Sequence, residues 1–236
     1  MRGAAALGLL LLAGSCLAHD LITLEAAEVY LANANQWSRV IDSAAPAERK
    51  AEAHCRLGSM FDEIRDLLNR DVAVHGGPQG VPTNLLIAEL KRGGTPLDYS
   101  DRKRRFLPPV SHYRQCLALQ PGGPYAGEAM SGLLRGDFYE SFDGDPLEAE
   151  QSWGELREQI GIAKVFLERY PEHRDREEIE FILAILLSRA ARDAPDAASR
   201  REHAAAARSA ADAFESRYPE SLRAAAMPVL REALAR

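Results

Sequence analysis

Aromatic side chains make up only 7% of this 236-residue chain, and its basic residues are outnumbered: 29 Lys and Arg stand against 35 Asp and Glu, a net charge of −6. That balance excludes a broad nucleic-acid surface, because phosphate binding needs a basic excess on one face. Long apolar runs are scarce too. Beyond the first eighteen residues the best stretch, 179–191, is interrupted by Glu180, Ser188 and Arg189, well short of a membrane span. The chain has three cysteines and no Cys-x-x-Cys spacing, which leaves a metal or redox pair without support.

Catalytic signatures are missing as well. There is no phosphate-binding Gly-x-x-x-x-Gly-Lys-Ser/Thr loop, no His-Glu-x-x-His, no Gly-x-Ser-x-Gly elbow and no Ser-x-x-Lys set. His54, His112, His173 and His203 are scattered without ligand spacing. Asp143, Asp145, Glu148 and Glu150 lack the spacing of a calcium loop and read as an acidic turn before a helix. No catalytic, cofactor-binding or metal-binding residue is expected, and the chain reads as a non-enzyme.

What is present begins at the amino terminus. Arg2, the apolar stretch Ala4 to Ala13 and the small residue Ala18 form a secretory signal over residues 1–18, with His19 as the expected mature start. A free amino-terminal His can chelate copper, but that chemistry needs a second rigidly placed His, which a helical pattern does not indicate. A second processing route stays open, since Leu12-Ala13-Gly14-Ser15-Cys16 resembles a bacterial lipoprotein signal. The expected location is periplasmic or secreted, or lipid-anchored to the envelope if Cys16 is acylated. Either way, Cys55 and Cys116 remain, as a disulfide or as two small buried hydrophobes.

The rest is helical wherever it is periodic. Leu21 to Ile41 and Ala47 to Asn69 read as helices divided by Ser43-Ala44-Ala45-Pro46. Asp145-Pro146 carries the signature of a helix start, followed by Trp153, Leu156, Ile160, Ala163, Leu167 and Tyr170 on one face. Asp175 with Glu178 opens the next helix, whose stripe is Ile179, Ile182, Leu183, Leu186 and Ala190. Ser199 with Glu202 has the form of a capping box leading to Tyr218-Pro219, and Pro228 breaks or kinks the closing stretch. No period-two alternation marks a set of strands.

Two segments repeat, Phe166-Leu167-Glu168-Arg169-Tyr170-Pro171-Glu172 and Phe214-Glu215-Ser216-Arg217-Tyr218-Pro219-Glu220. With Leu119-Gln120-Pro121 they place Pro121, Pro171 and Pro219 at intervals of 50 and 48 residues. Leu57-Gly58 with Phe61 resembles the first helix of a tetratricopeptide repeat, and Tyr113 to Pro121 resembles the second. The paired Arg-Tyr-Pro-Glu endings resemble the divergent repeats of periplasmic outer-membrane assembly lipoproteins. Cys116 stands where that family usually has Ala, and the Pro intervals exceed its usual ~34-residue period. The resemblance implies an all-α, irregular helix-hairpin solenoid over residues 19–236, in which stacked pairs bury what one pair cannot.

Residues 69–110 depart from that pattern as a Gly/Pro-rich insertion, ending in the basic run Arg102, Lys103, Arg104 and Arg105, the candidate partner-binding residues. The expected function is an exported scaffold for a protein or peptide partner, with envelope assembly as the setting that the resemblance implies, with no nucleic acid and with membrane association only through a lipidated Cys16. The alternative is a periplasmic hydrolase or metal-dependent enzyme whose dispersed acidic and His residues converge in the fold.

Overall fold

Proline and serine punctuation divides the helices as the sequence suggests. A computed structural model describes residues 24–75, 87–88, 97, 99–107, 110–142, 145–149 and 151–235. The signal segment with Cys16 and His19, and the glycines of the insertion, lie outside the described residues. Among the described residues the fold is all-α apart from one short hairpin. The elements are α1 Leu24–Asp42, α2 Ala47–His75, β1 Tyr99–Ser100, β2 Arg105–Phe106, α3 Val110–Leu119, α4 Ala126–Glu140, α5 Trp153–Arg169, α6 Arg176–Asp193 and α7 Ala197–Arg217. A 3-10 turn, Leu222–Ala226, and α8, Met227–Ala233, complete the chain. No helix of the described residues is long and apolar enough to cross a membrane.

These elements fall into two compact units, one holding the described residues of 1–45 and 59–109, the other those of 46–58 and 110–236. In the first unit α1 ends where Ser43 Oγ donates to Val40 O at 2.8 Å and accepts from Ala45 N at 3.1 Å. The helix that follows runs to His75, six residues past the expected end at Asn69, because no Gly or Pro intervenes before Gly76. Asn69 bonds sideways instead. Its amide donates to Phe106 O at 3.2 Å and accepts from Phe106 N at 2.6 Å, which satisfies both backbone groups of that buried residue. The strands pair antiparallel, Tyr99 with Phe106 and Ser100 with Arg105. At two residues each they are too short for alternation to show in the sequence.

The second unit is a run of helix pairs turned at prolines: α3 with α4, α5 with α6, and α7 with the 3-10 turn and α8. The two duplicated endings share one local geometry. Tyr170 and Tyr218 end their helices at φ/ψ of −125°/60° and −128°/57°, each donating its N–H to a fully buried Phe four residues back, Phe166 or Phe214. The following Pro has no N–H to continue the ladder. Pro228 does not break a helix but sits in the first turn of α8, where a missing N–H costs nothing.

Two helix starts differ from expectation. Asp145-Pro146 does not open α5; Ser152 does, its hydroxyl accepting from Glu155 N while the Glu155 carboxylate accepts from Ser152 N, a closed capping box. Nor does Ser199 cap α7. Asp196 accepts from Ala198 N and Ser199 N, and Ser199 donates its hydroxyl to the same carboxylate, so the helix begins at Ala197. Asp175 holds the cap position of α6 as expected but makes no cap hydrogen bond.

The main core joins α4, α5, α6, α7 and α8 through Leu134, Phe138, Leu156, Ile160, Ala163, Phe166, Ile179, Ile182, Leu186, Phe214, Met227 and Leu230. Leu183 is at its rim rather than inside it, whereas Ala184, Ile185 and Leu187 are buried. The apolar face of α6 is wider than one stripe because neighbours cover it on more than one side. A second cluster packs Ala51, Cys55, Tyr113, Cys116, Ala129 and Leu133 where α2 meets α3 and α4.

Candidate functional site: an acid-lined cleft beside the connection between α4 and α5

The end of α4 and the start of α5 face each other across their connection. Asp137 and Glu140 occupy the last turn of α4, which contains no basic residue, so two carboxylates stand at the negative end of a helix dipole. Glu155 and Glu158 come from the opening turns of α5. With Arg114 of α3, Ser141, Gln151, Gln159 and Ile162 they line a cleft of about 540 Å³. Four carboxylates thus meet one guanidinium.

Those carboxylates are not equivalent. Arg114 Nη2 holds both oxygens of Asp137, at 2.9 and 3.0 Å, yet burial keeps this carboxyl above its ordinary value, with Glu140 and Glu158 adding to the rise. Glu155 belongs to the capping box, whose hydrogen bonds from Ser152 lower its pKa. Glu140 and Glu158 are exposed at the mouth. Gln159 is 6% exposed, and its Oε1 is a buried acceptor without a hydrogen-bond partner. Such an atom carries a desolvation cost of roughly 1–3 kcal/mol until a donor reaches it.

One buried cation holds two of the lining residues. Arg189 of α6 is 1% exposed and hydrogen-bonds to no carboxylate among the described residues, Asp145 and Asp193 acting on it only through their charge; it donates from Nε to Pro146 O at 2.6 Å and from Nη1 to Ser141 Oγ at 3.0 Å and Gln151 Oε1 at 3.2 Å. The rings of Phe138 and Phe142 lie 5.0 and 5.7 Å from its guanidinium carbon. Burial pushes its pKa down to about 10, still charged at neutral pH. Arg189 therefore fixes both cleft residues that flank the connection, Ser141 and Gln151.

Three other groupings bear on chemistry. Glu128, His173 and Asp175 bring a donor atom each within 4.8 Å of one another. Asp175 N donates to His173 Nδ1 at 3.2 Å, so the neutral ring carries its proton on Nε2, facing Glu128 Oε2 at 3.5 Å. Arg174 lies 2.7 Å from Glu128, Arg135 lies 3.7 Å from Asp175, and Ser131 Oγ donates to Asp175. Two guanidiniums and a protonated Nε2 make this a tie from α4 to the α5–α6 turn, poorly suited to a cation. His54 and His112 approach Nδ1 to Nδ1 at 3.0 Å, both with pKa values lowered by burial, His112 to about 4.

Cys55 and Cys116 are free, buried and in hydrogen-bond contact; that bond pushes the Cys55 thiol up and the Cys116 thiol down, and both pack in the core between α2 and α3.

The basic run singled out in the sequence falls in the first unit. Arg102 and Arg104 are exposed and Lys103 and Arg105 half-buried; residues 101–104 form the hairpin turn, with Arg104 left-handed at φ 49°, and Arg105 belongs to β2. Sequence reasoning passed over Asp137, Glu140, Glu158 and Gln159. The available signal was a pair of acidic i, i+3 spacings on consecutive helices, one of them at a helix end where the dipole disfavours acid.

No family model, no curated protein and no solved structure matches the chain.

Proposed function

We propose that this protein is an exported, non-enzymatic helical-repeat scaffold and that a segment of a partner polypeptide binds in the cleft between α3, α4 and α5. One observation carries the reading: a cleft of about 540 Å³, in the range of ordinary binding sites, with a lining of charged and amide groups mounted on helices. The paired Phe–Tyr–Pro helix endings support a repeat architecture, whose usual role is to present extended surfaces to proteins. Export rests on residues 1–18 and a place in envelope assembly on the resemblance of the endings.

The hydrolase alternative is the weaker reading. Its best acid is Asp137, the cleft carboxyl with a raised pKa, but Arg114 occupies both of its oxygens, which opposes proton delivery to a substrate.

Site-specific photo-cross-linking tests the proposal. A photoreactive residue at Ile162, inside the cleft, is expected to cross-link a polypeptide in cells, whereas one at Arg201, exposed on α7, is not. Equal yields from both positions, or none from Ile162, would remove the cleft as the docking site.

A further inference from the structure

Resting on that reading, we infer that the group received by the cleft is a cationic side chain, an arginine or lysine presented by the partner polypeptide.

Charge is the first support. Four carboxylates line the space against the guanidinium of Arg114, with the buried Arg189 behind Ser141 and Gln151, so acids stay in excess and the lining attracts a cation and repels an acid. Placement is the second. Asp137 and Glu140 end α4 with no basic residue in its last turn, an arrangement that costs stability through the helix dipole and is relieved by a bound positive charge.

The third support is independent of charge. Gln159 lines the same cleft, is more than nine-tenths buried, and has an Oε1 that accepts from nothing. A guanidinium or ammonium supplies N–H donors and no acceptor, which is the complement that this oxygen lacks. Ile162 offers an apolar contact for the methylene stem of a long basic side chain, while Glu140 and Glu158 at the mouth meet the rest of the segment.

The test uses the full chain and calorimetric titration with a hexapeptide of alternating arginine and leucine, its counterpart with citrulline for arginine, and spermidine. Citrulline keeps the shape and loses the charge. The arginine peptide is expected to bind about tenfold more tightly than the citrulline peptide, and to weaken as salt rises. Glu158→Gln and Gln159→Met should each weaken the arginine peptide by about three- to tenfold, with melting unchanged in the first and unchanged or raised in the second, which removes the unmet acceptor; Glu202→Gln, an acid on exposed α7, should leave it alone.

Equal binding of the arginine and citrulline peptides would overturn the cationic assignment while leaving the polypeptide reading in place, as would absence of heat from the arginine peptide at millimolar concentration alongside a cross-link at Ile162. Spermidine binding as tightly as the peptide would overturn the assignment to a polypeptide side chain.

Discussion

Tyr113 shows how single residues set the spacing of these helices. Its ring is fully buried between Gly58 of α2 and Gly132 of α4: a methyl group added at Gly58 would lie 2.7 Å from the ring, and one at Gly132 would lie 2.2 Å from Cζ. With glycine on both sides the ring cannot retreat from either. Gly132→Ala is therefore expected to lower stability by about 1–3 kcal/mol, the range for overpacking a filled core. Tyr113→Leu should recover part of that loss when combined with it, so the double substitution costs less than the two single costs together. Strict additivity in chemical denaturation would show that the ring and the glycine do not meet. Leu57-Gly58 was legible in the sequence through its resemblance to the first helix of a repeat. Gly132 was not, because nothing in its own helix announces that an aromatic from α3 will press on it.

At the scale of elements, the caps show what local sequence can and cannot decide. Asp145-Pro146 and Ser152 with Glu155 both fit the pattern of a helix start. Arg189, 43 residues on from Pro146, bonds Pro146 O and the side chain of Gln151, contacts that favour the later start and that no local pattern announces. Asp196 wins over Ser199 for a local reason, since Ala197 and Ala198 extend the helix readily and the carboxylate reaches two backbone N–H groups. Prolines, by contrast, set the far ends of α5 and α7 with little ambiguity, because their effect is covalent. The acid-lined cleft belongs to the less legible kind, being assembled from three helices whose charges look like ordinary solvated faces one at a time.

The Arg189 contacts make a prediction at this scale. Lysine keeps the charge but offers one donor group in place of a planar fork, so Arg189→Lys cannot serve Pro146, Ser141 and Gln151 together. The expected loss is about 2–4 kcal/mol, since buried acceptors are left without donors. Amide exchange should accelerate between residues 141 and 151 before it does so in α7. Uniform acceleration, or none, would show that the guanidinium does not hold the connection.

For the molecule as a whole, the histidines set how folding stability responds to acid. His54 and His112 meet at 3.0 Å, with Lys50 near His54, and both hold pKa values below 6.5, mainly because burial penalises the charged ring; His112 is lowered to about 4. Above the unfolded value of 6.5 neither state takes up a proton at these rings, and they add no pH dependence. As pH falls from 6.5 towards 4 the unfolded chain binds protons that the folded chain refuses, so stability declines, and the His112 contribution levels off below about 4. The lowered carboxyls of Glu52, Glu155 and Asp196 lose their contribution only below the ordinary carboxylate range, so the decline between 6.5 and about 4.5 comes from the histidine pair and is opposed by the raised Asp137 carboxyl, which binds its proton first in the folded chain. Its size for His112 is of order 3 kcal/mol over the whole window, from a displacement of about two and a half pH units at 1.36 kcal/mol each. Urea denaturation at pH 7, 6 and 5 is expected to show this decline in the wild-type chain and a much shallower one in His112→Asn, which cannot titrate. Parallel curves for the two proteins would place the acid sensitivity in other groups and leave the His54–His112 contact as neutral packing.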